Sequence, residues 1–265
     1  MKTTKVLWLL ILAFAITSFQ STTKTTSQPR EFYQLKTYIL HSDEQVQATD
    51  KYLKEAYLPG LKRLGIKNIG VFKPKPNVTD TDTLKKIIVV IPFKSIDQFL
   101  NLDEKLAKDK LYLVAGADYL NANYKQAPYL RIESILLKAF VEHPFLTTPN
   151  LDSPRLNRVY ELRSYESATE VIHANKVDMF NAGGEVKLFN RLEFNAVFYG
   201  QVISGAKMPN LMYMTTFKDQ ESRDAHWKAF SDSPEWKGLI AMEKYKNNIS
   251  HIDITFLYPT DYSDY

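Results

Sequence analysis

Short runs of alternating or continuous apolar residues are interleaved with stretches whose apolar positions recur every three to four residues. The first pattern is that of strands and the second that of helices packed on them. Residues 32–40, rich in Tyr, Leu, Ile and Thr, predict a strand. Ser42-x-x-Gln45 then has the spacing of a capping box: the hydroxyl accepts from an orphan amide near the helix start and the Gln side chain reaches back. Val46, Tyr52, Leu53, Ala56, Leu61 and Leu64 carry that helix to about Leu64, with Pro59-Gly60 as a bend or interruption. Residues 66–72 and 84–91 predict a hairpin of two strands across a turn-rich connection. Ser95-x-x-Gln98 repeats the capping device and opens a helix through Phe99, Leu102 and Leu106 that continues past Ala115. A strand over 131–140 completes the order β-α-β-β-α-β.

Residues 143–156, with Pro144, Pro149 and Pro154, read as a linker, after which the pattern restarts. Arg158-Val-Tyr-Glu-Leu-Arg-Ser-Tyr165 parallels Glu31-Phe-Tyr-Gln-Leu-Lys-Thr-Tyr38, which aligns Tyr33 with Tyr160, Leu35 with Leu162 and Tyr38 with Tyr165. A third box, Ser167-x-x-Glu170, predicts the next helix, with Gly183-Gly184 as its break. Strands over 193–203 and 211–217, a helix from Asp219, a fresh N-cap at Ser233-Pro234 and a closing strand over 248–258 finish the second copy. The chain is thus a tandem duplication in the α+β class, with antiparallel sheets, a first domain over 31–142 and a second over 157–265.

Composition adds less. Of 265 residues 45% are hydrophobic, enough to fill real cores, and the net charge of +4 is spread without a basic block, so nucleic acid is not an expected partner. Lys2 and Lys5 precede an apolar run over 6–16 and a Ser/Thr-rich stretch, the pattern of a signal peptide over 1–21 followed by a linker over 22–30. That run falls short of the roughly 20 residues that span a bilayer, so no stable span is expected after cleavage. An exported protein, periplasmic or extracellular, follows. The absence of cysteine excludes disulfides, thiolate metal sites and a Cys nucleophile. Asn77-Val78-Thr79 has the spacing of a glycosylation acceptor.

Several motifs in the second half go beyond periodicity: Tyr160-Glu-Leu-Arg163, Asp178-Met-Phe-Asn-Ala-Gly-Gly-Glu185, Phe198-Tyr-Gly200, Met208-Pro-Asn-Leu-Met-Tyr213, Thr216-Phe217, Trp227-Lys-Ala-Phe230 and Pro234-Glu-Trp236. In this order they resemble the NIPSNAP family signature. The first half shares only the topology and the first strand. The resemblance implies a ferredoxin-like fold of the dimeric α+β barrel group, in which two four-stranded antiparallel sheets face each other beneath outer helices. Two copies in one chain would form that barrel internally. Relatives in the wider group include haem-degrading monooxygenases, haem-dependent enzymes and cofactor-independent oxygenases, but a shared fold does not transfer chemistry.

With both sheet faces buried, alternation sorts the strand residues into two sets. Placing Leu35, Ile39 and Leu162 on the helix side sends Gln34, Lys36, Glu161 and Arg163 into the barrel. Placing Ile252, Ile254 and Phe256 on the helix side sends His251 and Asp253 inward, matched by Arg131 and Glu133, with Asn195 and Tyr199 as further members. These nine ionisable or polar residues other than Gln34 form the candidate ligand site, and His251 beside a carboxylate could act as acid, base or ligand anchor. Cross-strand ion pairing of the same residues is the more ordinary outcome. No metal is expected, because no two His have helical i, i+4 spacing and no third ligand is evident. No cofactor is expected either, although haem requires only one imidazole. His226-Trp227 is read as helix packing. The leading expectation is an exported protein that binds a small, partly apolar ligand in the barrel or an interdomain cleft, with homo-oligomers possible. The alternatives are a cofactor-independent or haem-dependent oxygenase and a structural or partner-binding module.

Overall fold

The structure, a computed structural model, describes residues 28–76 and 83–265. The leader over 1–21, most of the 22–30 linker and the Asn77-Val78-Thr79 motif lie outside the described residues.

The first copy runs β1 (Phe32–Leu40), α1 (Asp43–Tyr52), α2 (Leu58–Arg63), β2 (Gly70–Pro74), β3 (Lys85–Phe93), α3 (Ile96–Leu100), α4 (Leu102–Leu106), α5 (Lys110–Ala115), α6 (Ala117–Leu120) and β4 (Arg131–Ala139). The second runs β5 (Val159–Glu166), α7 (Glu170–Phe180), α8 (Glu185–Arg191), β6 (Phe198–Ser204), β7 (Asn210–Phe217), α9 (Gln220–Asp232), α10 (Pro234–Ala241) and β8 (His251–Pro259). The expected β-α-β-β-α-β order holds in both.

Pro59 does not end the first helix. One wide turn, Leu53–Tyr57, joins α1 to α2, and the extra residue in that turn relieves the clash between a proline ring and the carbonyl four residues before it. Ser42 and Ser95 cap as predicted, accepting from Gln45 N (3.3 Å) and Gln98 N (3.2 Å). Gln45 and Gln98 reach back to the amides of His41 and Lys94. The third cap is displaced. Thr169, not Ser167, accepts from Ile172 N, while Ser167 donates its hydroxyl to Asn248 O. Gly184, at φ 92°, supplies the left-handed turn between α7 and α8 that the Gly-Gly pair predicts.

The strands close into a single barrel in the order β1-β3-β2-β8-β5-β7-β6-β4. The two expected sheets therefore do more than face each other, since backbone hydrogen bonds join them at two seams. Phe72 lies opposite Pro259 and Pro74 opposite Leu257 at one; Leu137 lies opposite Val202 and Ala139 opposite Gly200 at the other. A Cβ on Gly200 would sit 3.0 Å from Leu137 Cβ, so glycine lets the two strands approach closely at this seam.

Three apolar layers result. The barrel interior is filled by side chains including Tyr33, Leu35, Phe72, Tyr160, Leu162 and Phe198. Tyr265, at the chain end, joins them and packs on Phe72 and Tyr160. Between the sheet and the first-half helices lie Tyr38, Leu53, Tyr57 and Val89; between the sheet and the second-half helices lie Tyr165, Phe180, Phe189 and Tyr213. Among the described residues no helix is long and apolar enough to cross a membrane.

Candidate functional site

The inward set of β1 and β5 is the reverse of that expected. Leu35 and Leu162 point into the barrel, and Lys36, Glu161 and Arg163 lie beneath the helices. The barrel takes the apolar alternates because it is sealed all round, whereas the layer under the helices can supply donors to a charge. On β4 and β8 the expected facing is right: Arg131 and Glu133 alternate with Ile132 and share the side of Leu137, and His251 and Asp253 share the side of Leu257. They sit at strand ends, however, where His251, Arg131 and Glu133 are exposed. Tyr199 faces the helices, buried against Phe140 and Tyr213. Asn195 lies before β6 with φ 45° and donates to Glu193 O. The nine residues are not brought together: Glu161 with Arg163, His251 with Asp253, and Arg131 fall in three separate places, and Lys36, Glu133, Asn195 and Tyr199 lie outside them.

The first place is a buried polar cluster under α9. The Glu161 side chain is fully buried, and both its oxygens are engaged. Arg163 Nε donates to Oε1 at 2.7 Å, Arg223 bridges both oxygens at 2.8 and 2.9 Å, and Trp227 Nε1 donates to Oε2 at 2.8 Å. The Arg163 guanidinium also stacks 3.8 Å from the centre of the Trp227 ring and donates to Tyr165, whose hydroxyl meets that of Tyr213. Burial alone would raise the Glu161 carboxyl, but the hydrogen bond from Arg223 and the charge of Arg163 outweigh it and hold the group below its ordinary value. Close by, Lys176 and Glu185 form a second ion pair at 2.9 Å, almost wholly buried. Here burial wins and raises the Glu185 carboxyl despite Lys176. Arg223, Trp227, Lys176 and Glu185 were not among the sequence candidates. Trp227 was assigned to packing, and no local spacing links α7, α8 and α9 to β5.

The second place is the exposed end of the β5–β8 pair. His251 Nε2 lies 3.1 Å from Asp253, and ligand atoms of Glu166, His251 and Asp253 all fall within 4.8 Å of one another. This supplies the third donor that the sequence did not show, across strands rather than along a helix. Lys207 already meets Asp253 at 2.5 Å and Glu166 at 3.7 Å. A cation entering there must displace its ammonium.

The third place is a groove of about 690 Å³ in the first half, between α1 and the segment from α6 to the start of β4. Tyr52, Tyr119 and Tyr129 line it, the first two stacked with centroids 3.8 Å apart. His41, Gln45 and Arg131 also line it. Gln45 and Thr49 tie α1 to the far wall by donating to Ala127 O and Pro128 O. Asn195 and His226 line a separate, more polar recess of about 460 Å³ in the second half.

An eight-stranded barrel made by two βαββαβ copies, with helices outside and a filled interior, is the architecture of the dimeric α+β barrel group, completed here within one chain. Its second half, residues 156–264, matches the NIPSNAP family. Solved structures show the same architecture. A protein proposed to be a monooxygenase from Fusobacterium nucleatum is similar at 11% identity and a TM-score of 0.57, over 88% of this chain and 93% of that one. Another proposed monooxygenase, from Lactobacillus acidophilus, is similar at 11% identity and a TM-score of 0.55, over 87% and 94%. At such identity these likenesses concern the fold alone. No curated protein matches the sequence.

Proposed function

We propose that this protein binds a small, partly apolar ligand in the first-half groove, not inside the barrel. The observation that carries this is a preformed recess of about 690 Å³ walled by Tyr52, Tyr119 and Tyr129 with Arg131, His41 and Gln45 beside them. That is the volume and make-up of a site for a drug-sized molecule, an aromatic wall for affinity and a few polar groups for orientation. The barrel interior offers no such space, because Tyr33, Phe72, Tyr160 and Phe198 fill it. The arginine favours a ligand with an anionic end. Export of the protein, to the periplasm or beyond, belongs to the same proposal and rests on the leader pattern over 1–21.

The test is a fluorescence titration with anilinonaphthalene sulfonate, an aromatic anion. The native protein should show saturable binding to one site, weakened at least tenfold by Tyr119→Ala and by Arg131→Ala, with unchanged circular dichroism. Binding that neither substitution alters would overturn the reading.

A further inference from the structure

At one mouth of the barrel, strand register gathers three side chains able to ligate a metal. Glu166, the last residue of β5, lies directly opposite His251, the first of β8, and Ser164 lies opposite Asp253. Residues two apart on a strand share a face, so Glu166, His251 and Asp253 all stand on the barrel side, in line with Leu162 and Leu257. Their ligand atoms lie within 4.8 Å of one another. Donors about 2 Å from a tetrahedral zinc ion stand roughly 3.3 Å apart, so small rotations of these strand-end side chains close the set.

Two further observations mark the place as one for a cation. The ammonium of Lys207, from the turn between β6 and β7, already sits there, 2.5 Å from Asp253 and 3.7 Å from Glu166. Asn210 lies opposite Glu166 on the other side of β5, and it is only 1% exposed. Its Nδ2 donates to Ser164, on the same face as the carboxylates, while its Oδ1 is buried without a partner. A neutral oxygen with unused lone pairs thus backs the three donors. The lysine is exposed, and an ion pair in solvent is held weakly, so an entering metal ion can displace it.

We infer that Glu166, His251 and Asp253 bind a divalent transition-metal ion of the zinc class, with Lys207 as the internal cation that competes for the site. One imidazole nitrogen and two carboxylate oxygens suit zinc and its neighbours, whereas calcium and magnesium take oxygen ligands. His251 supplies Nε2, the ring nitrogen that faces Asp253, each carboxylate supplies one oxygen, and water takes the fourth position. Arrival of the ion frees Lys207, so this lysine sets the affinity. The groove proposed above shares none of these four residues, and the two readings stand or fall separately.

The experiment is calorimetric titration of the intact protein with zinc chloride in a non-chelating buffer near neutral pH. One saturable site is expected. His251→Ala should weaken it by about tenfold or more, since loss of even an outer-shell partner of a metal ligand costs that much. Glu166→Gln should weaken it as well. Lys207→Met should tighten it severalfold, and Tyr119→Ala, in the groove, should leave it unchanged. In the native protein the ring resonances of His251 should shift on zinc addition while those of His41 and His226 stay in place, a readout that needs no substitution. Absence of saturable binding, binding that survives His251→Ala, zinc-induced shifts confined to other histidines, or an affinity that Lys207→Met leaves unchanged or lowers overturns the proposal.

Discussion

Glu161 shows how a charge can be wholly buried and still be stable. Its two oxygens receive donors from Arg163, Arg223 and Trp227; the Trp227 ring packs on the second-half core, and both guanidinium groups lie over it. Glu161→Ala would take the counter-ion from the buried Arg163 and leave Arg223 with Asp224 alone, and should cost about 3–5 kcal/mol, read by urea unfolding. Because the folded carboxyl lies below its ordinary value of 4.5, its ionised form stabilises the protein above that pH. The contribution is lost as pH falls through the folded value, and Glu161→Gln should flatten that part of the stability profile. Glu185 has the opposite sign. Burial raises it, so its ionised form is a cost that falling pH relieves. The Lys176–Glu185 pair therefore gives a contrasting expectation: Glu185→Ala alone should destabilise by about 3 kcal/mol or more, whereas Lys176→Met with Glu185→Leu should be neutral or stabilising by about 1–4 kcal/mol. A double substitution as damaging as the single one would show that the pair stabilises the fold outright.

The helices depend on their ends. Most are short, and a short helix gains little from its own backbone, so the caps and the packed face decide whether it forms. Thr169 is the instructive case. Residue spacing points to Ser167, three before Glu170, yet Ser167 is committed to Asn248 O at the edge of β8 and the next hydroxyl takes over the amide. Thr169→Ala should cost about 1 kcal/mol and speed amide exchange in the first turn of α7. Ser167→Ala should leave that turn's exchange unchanged. Equal effects from both would mean that the two hydroxyls share the cap.

At the scale of the molecule, the two copies are not separable units resting on each other. β2 pairs with β8 and β4 with β6, so either copy alone would present two open strand edges and an uncovered apolar face. Heating should therefore produce one calorimetric transition for both halves. The chain end contributes to this unity, since Tyr265 packs inside the barrel on Phe72 from the first copy and Tyr160 from the second. Tyr265→Ala should lower the stability of the whole transition by about 3 kcal/mol without splitting it. Two resolved transitions would show that the seams are weaker than their pairing implies.

Element order, the duplication, the helix starts at Ser42, Ser95, Asp219 and Ser233 and the family motifs of the second half were all determined by the sequence, because each depends on neighbours within a few residues. Which face of β1 and β5 is the inner one was not. Alternation states that Glu161 and Arg163 share a side and that Leu35 and Leu162 share theirs, but in a sheet buried on both faces nothing local states which side is the barrel. Tertiary structure decided that, along with the gathering of Arg223 and Trp227 around Glu161 and the third donor beside His251. These contacts join residues far apart in the chain, and only closure of the barrel brings them within reach.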